Sequence, residues 1–155
     1  MATTATTTIE AFLADIATRL TGAPSAMDAN RCFVVDRLRL VDTAVPNYQI
    51  EPSSMVIIGE ETGLNIFLVD YKVHAVVKVE YDFDGKQTQR LTKATGQKGA
   101  FQLALEAAVR LNKHEPTGAE NQVFLRLDNG GVDEATGLGH ATAHFRSYLR
   151  VMADG

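Results

Sequence analysis

The chain has 155 residues, a net charge of −4 and one cysteine. That is about one domain's worth of chain, long enough to bury a core without disulfides or a structural metal. Cys32 alone excludes an internal disulfide framework and a multi-cysteine zinc site, 45% apolar and 22% charged residues exclude disorder, and the acidic balance excludes a generic nucleic-acid binder.

No apolar run approaches the ~18 residues that a membrane-spanning helix needs. Residues 1–8 are rich in Ala and Thr and lack the charged start and apolar centre of a signal peptide. The expected compartment is the cytosol. Thr7-Thr8-Ile9-Glu10 fits a capping box. Ile9, Phe12, Leu13, Ile16, Ala17 and Leu20 then recur at helical spacing, and Thr21-Gly22-Ala23-Pro24 supplies a stop. A helix is expected over 8–20.

Residues 23–52 carry the weakest pattern. Phe33-Val34-Val35 with Leu38, Leu40 and Val41 fits a strand or a short helix, and the β-branched content favours a strand. Pro46 and Pro52 are expected to bracket a loop. Residues 55–61 read as a short strand, and Gly63-Leu64-Asn65 as a turn. The clearest pattern follows. Tyr71, Val73, Ala75, Val77, Val79, Tyr81 and Phe83 alternate with Lys72, His74, Val76, Lys78, Glu80 and Asp82. One face is dry and the other wet. Strands average ~5–6 residues, so this one is expected to run past its own core, where its apolar face needs cover.

Residues 86–99 read as a polar loop. A helix is expected over 101–112, with Phe101, Ala104, Leu105, Ala108 and Val109 on one stripe and Leu103, Ala107 and Leu111 widening it. A stripe that wide suits a helix lying on a sheet. Val123, Leu125 and Leu127 mark a strand over 123–128. Asn129-Gly130-Gly131 signals a turn, and a loop over 129–139 precedes a last alternating strand over 141–152. The expected fold class is α+β, with a mostly antiparallel sheet of about four to five strands and two main helices on one face. One domain is expected over 1–155.

No catalytic or metal pattern emerges. Gly96-Gln97-Lys98-Gly99 precedes a helix, but its glycine spacing is not that of a P-loop. His140 and His144 share a strand face, yet sit ~13 Å apart there, too far to chelate one ion. His74 falls on the wet face, as a surface polar group. Cys32 lies in an apolar stretch and reads as a small buried hydrophobe. Glu60-Glu61 and Asp133-Glu134 are adjacent on extended chain, so their carboxylates point to opposite faces. What remains is charge segregation. Lys86, Arg90, Lys93 and Lys98 stand without an acid in thirteen residues, leaving −8 on the rest of the chain. Such a basic segment beside acidic residues suits a phosphate contact, an acidic partner, head-to-tail self-association or plain solvation.

The order of these elements resembles the tail-terminator (tail-completion) proteins of long-tailed bacteriophages and related contractile particles. The resemblance lies in the opening helix over 8–20 and in Pro-Ser-Ser-Met-Val-Ile-Ile-Gly-Glu-Glu at 52–61. It continues in the long alternating strand leading to the helix over 101–112, and in the closing strand over 141–152. The stretch 23–47 and the charge of 86–98 depart from the pattern. The resemblance implies a virion structural protein of the tail or neck, made in the host cytoplasm. It implies a hexameric ring at the head-proximal end of the tail tube, ending tube polymerisation and joining the tail to the head. The implied partners are further copies of the chain, the tail tube protein and the head–tail connector or stopper protein. Transient, nonspecific DNA contact in the lumen is implied if the basic loop faces it. No enzyme activity, cofactor, metal or membrane is implied. The candidate assembly contacts are Glu60, Glu61, Glu80, Asp82, Asp84, Lys86, Arg90, Lys93 and Lys98. The alternatives are another head–tail neck or tail component, or a small ligand-binding domain or enzyme. In the last case a pocket under the second helix would use His74, Tyr81 and Tyr148.

Overall fold

The computed structural model describes residues 5–22, 27–41, 44–61, 63–78, 98–133 and 135–152. In chain order these form α1 (Ala5–Thr21), a 3-10 turn (Ala29–Arg31), β1 (Cys32–Val34), β2 (Asn47–Glu61), β3 (Leu64–Lys78), α2 (Ala100–Leu111), β4 (Ala119–Asp133) and β5 (Leu138–Met152). The strands make one sheet in the order β1-β2-β3-β5-β4. Only the β1/β2 pair is parallel. The fold is α+β, as expected from strand patterns that follow one another in pairs without a helix between each.

The period-two pattern of β3 and β5 builds the core. Val69, Tyr71, Val73, Ala75 and Val77 of β3 lie beside Ala141, Ala143, Phe145, Leu149 and Val151 of β5, all buried on one face. Phe12, Ile16 and Leu20 of α1 and Leu103, Ala104, Ala107, Ala108 and Leu111 of α2 cover that face. The alanines let α2 approach closely. Phe12 meets the Tyr71 ring edge-on at 5.5 Å, and Tyr71 stacks on Phe145 at 5.2 Å. The two buried phenols are satisfied. Tyr71 Oη donates to Gln122 Oε1 at 2.5 Å, and Tyr48 Oη donates to Leu103 O at 2.6 Å. Gln122 Nε2 in turn donates to Leu111 O at 2.7 Å, capping an end carbonyl of α2. Burial pushes both phenol pKa values up, so both stay protonated.

The helix ends are joined reciprocally. Arg19 Nε donates to Arg110 O at 3.1 Å, and Arg110 Nε donates to Arg19 O at 3.0 Å. Arginines here satisfy C-terminal carbonyls and complement two helix dipoles.

Several expectations need correction. The first helix begins at Ala5, so Thr7 is inside it and is not a cap. Thr8 Oγ1 is buried with no hydrogen-bond partner among the described residues. Pro46 and Pro52 do not bracket a loop: β2 starts at Asn47 and runs through Pro52. Its ladder shifts between Pro52 and Ser54, which accommodates the missing donor. Leu38, Leu40 and Val41 lie outside any strand. β4 and β5 extend to Asp133 and from Leu138, so the long loop over 129–139 is a short turn. Asn129-Gly130-Gly131 is strand, with a register shift between Asn129 and Val132. Gly130 is needed there, because a Cβ would come within 2.4 Å of the His140 carbonyl oxygen. β3 is assigned to Lys78; the expected continuation over 79–84 lies outside the described residues, as does 86–97.

Candidate assembly site

From Pro52 onward no side chain of β2 is buried, although the strand continues to Glu61. At ~3.3 Å per residue this distal half is an arm about 30 Å long. Its partner is the first half of β3, in a register that sets Met55 against Val69, Val56 against Leu68 and Ile57 against Phe67. Four consecutive arm residues are exposed apolar groups: Met55, Val56, Ile57 and Ile58. Alternation puts them on both faces, a pattern that belongs to strands covered on both sides. Among the described residues the outer edge is open as well. β1 pairs only with Tyr48, Gln49 and Ile50, and the backbone bond from Val35 N to Ile50 O (2.9 Å) ends that contact. Exposed apolar strands with open edges invite pairing with another chain.

Smaller apolar groups stand exposed elsewhere: Val123 and Leu125 on β4, Leu105 and Val109 on α2, and Phe33, Val34 and Val41 around β1. Phe33, Val35, Arg39, Val41, Asn47 and Gln49 line an open groove of about 250 Å³. The segment carrying Arg39 is fastened over β2 by Gln49. Arg39 N donates to Gln49 Oε1 at 2.9 Å, and Gln49 Nε2 donates to Arg39 O at 2.8 Å. Burial pushes the thiol of half-buried Cys32, the residue before Phe33, up to about 11.

The sheet face away from the helices carries a ladder of ion pairs. Arg146 grips Asp70 with two bonds, at 2.7 and 3.0 Å. Glu51 lies 3.7 Å from Lys72 and 3.2 Å from His74 Nε2. His144 meets Asp128 at 2.6 Å, and Arg126 meets the same carboxylate at 3.1 Å. Arg150 joins Glu120 and Glu61, each at 2.8 Å. His74 is buried here rather than being a surface group, flanked in register by Gln49 and Thr142. Burial lowers its pKa more than Glu51 raises it. In the neutral ring Nε2–H donates to Glu51, and Nδ1 accepts from Thr142 Oγ1 at 2.7 Å.

Stability should therefore fall in two stages on acidification. Burial holds the folded His74 imidazole below its ordinary 6.5, so the unfolded chain takes the proton first. This contribution is complete above that value and is lost as pH falls below it. The Arg146 guanidinium holds Asp70 below 3.8, and Arg126 does the same for Asp128. Their contribution is complete above 3.8 and is lost as pH falls through the folded values. Urea midpoints measured across the acid range should show both stages, with His74→Gln removing the upper one. A midpoint that does not move between neutral pH and the carboxylate range would contradict this assignment of His74.

Of the expected contact residues, Glu60, Glu61 and Lys98 are among the described ones. Glu60 sits exposed near the arm tip, and Glu61 pairs with Arg150. Lys98 is committed within the chain to Glu106. The backbone N–H of Gly99, a candidate anion donor, is taken by Gln102 Oε1 at 3.0 Å. Glu80, Asp82, Asp84, Lys86, Arg90 and Lys93 lie outside the described residues. The alternative pocket under the second helix is not formed by its expected residues. His74 is on the sheet face opposite the helices, and Tyr148 pairs with Leu68, well along β3 from it. Tyr81 lies outside the described residues. Among the described residues no group of three His, Cys, Asp or Glu side chains is placed to hold a metal. No described helix is long and apolar enough to cross a membrane.

Among the described residues, two helices lie on one face of a mixed sheet and an apolar arm stands uncovered, which defines an α+β fold with exposed strand surface. The chain matches no protein-family model and no curated protein. Its fold is similar to that of a chain in a solved structure titled as the virion of a native gene transfer agent particle, with a TM-score of 0.64 at 15% identity. The likeness covers 92% of this chain and 97% of the other.

Proposed function

We propose that the chain is a virion structural protein of a phage-like particle, and within that class a tail terminator. It would form a hexameric ring that caps the tail tube and meets the head connector. The arm carries this reading: an isolated chain has no use for four exposed aliphatic residues on a two-stranded projection, whereas a ring subunit has a neighbour to cover them. The fold likeness to a gene transfer agent virion chain supports the particle class, and the order of elements supports the place within it. The outer edges of β4 and of distal β2, unpaired among the described residues, offer further backbone groups for contact with neighbours.

The test is the mass of the purified protein across a concentration series, with and without tail tubes. A closed sixfold species, alone or only on the tube, is the expected result. An open-ended or non-sixfold assembly that ignores the tube would move the protein to another position in the neck or tail. A strict monomer under both conditions would overturn the assembly role.

A further inference from the structure

The arm needs a receiver, and charge and shape choose one. Residues 52–61 carry Glu60 and Glu61 and no cation. The groove beside β1 lies in a segment, residues 31–41, that carries Arg31, Arg37 and Arg39 against Asp36 alone. Arg37 stands in sequence between two groove-lining residues, Val35 and Arg39. Glu60 and Arg37 are both exposed, and neither has an ion-pair partner among the described residues. The groove itself presents Phe33, Val35 and Val41, the apolar complement to the aliphatic run of the arm.

The two surfaces cannot meet within one molecule. Asn47 and Gln49 of β2 form part of the groove, and the arm is the distal half of the same strand. Ile57 lies eight residues beyond Gln49, up to roughly 26 Å away along a strand paired with β3. Each copy thus owns one arm and one groove that do not meet each other within that copy.

We infer that the arm of one copy seats in the β1 groove of the next, with Ile57 entering the groove and Glu60 meeting Arg37 at its rim. The inference rests on the ring reading above and names the neighbour's contact surface. Such a contact is head-to-tail, and it closes into a ring when the rotation per step allows. Like charges at a rim cost affinity and unlike charges restore it, so exchange of the pair separates this contact from general loss of structure.

The experiment compares Glu60→Arg, Arg37→Glu and the double reversal, by concentration-dependent mass of the full chain. Each single reversal is expected to weaken self-association about tenfold, and the double reversal to recover it. In a Cys32→Ala background, Ile57→Cys mixed with Val41→Cys is expected to give an intermolecular disulfide that neither variant gives alone. If the wild-type chain assembles but the double reversal shows no recovery and no mixed disulfide forms, the groove assignment falls while the ring reading stands. If the wild-type chain never self-associates, either alone or on tail tubes, both fall.

Discussion

Val56→Asp with Ile57→Asp should leave the fold intact and abolish self-association. The two side chains are 55% and 61% exposed and point to opposite faces of the arm. Exposed substitutions away from special features move stability by about ±0.5 kcal/mol, so the melting temperature should stay within a few degrees of the wild-type value. In an assembly the same residues are buried. Full burial of an aliphatic side chain contributes ~1.5–3 kcal/mol, and each has roughly half its surface left to bury. Loss of both, with two carboxylates placed in an apolar contact, removes at least about 3 kcal/mol, roughly a hundredfold in the dissociation constant. Light scattering beside a thermal melt reads both quantities. A variant that unfolds would show the arm to be core, and one that assembles normally would show it to be idle.

The second large effect lies in the aromatic stack. Phe145 is fully buried, lies 5.2 Å from Tyr71 and 5.7 Å from Phe124, and sits at the centre of the sheet. Phe145→Ala should cost about 3–5 kcal/mol through lost burial and the cavity left behind. Domains of this size lose roughly 2–4 °C per kcal/mol, so a fall of about 6–20 °C is expected in a circular-dichroism melt. Phe145→Leu should recover most of it. A smaller drop for the alanine variant would mean that α1 closes down over the gap.

What the sequence displays is periodicity, and it located the centres of the elements better than their ends. α2 follows its apolar stripe to within a residue at each end, and β3 and β5 follow their alternation into a shared core. The first half of β2 was hidden, although 55–61 read as strand, because Pro52 and the polar Asn47, Gln49 and Glu51 resemble loop. Their surroundings explain them. Pro52 sits at a bulge beyond the reach of β1, and Gln49 is polar because it holds the irregular segment at Arg39. Gly130 resembled a turn residue, but it is glycine to make room for His140. His74 looked wet because alternation assigns a face and says nothing of what lies across that face. The arm was half legible: a strand running past its core was expected, but in β3 toward Asp84. The candidate contacts chosen by charge fared less clearly, since Lys98 and Glu61 have partners within the chain and the rest of the basic segment is not described.

The ladder on the sheet face opposite the helices has a consequence for any polyanion that touches it. Lys72, Arg126, Arg146 and Arg150 each face a carboxylate of their own chain. A nucleic-acid strand gains affinity by exchanging its condensed counterions for protein cations. Here those cations already have their counterions, supplied covalently by the fold. A duplex drawn along this face would release no salt and find no foothold, so the face would behave as a slip surface whose grip does not change with ionic strength.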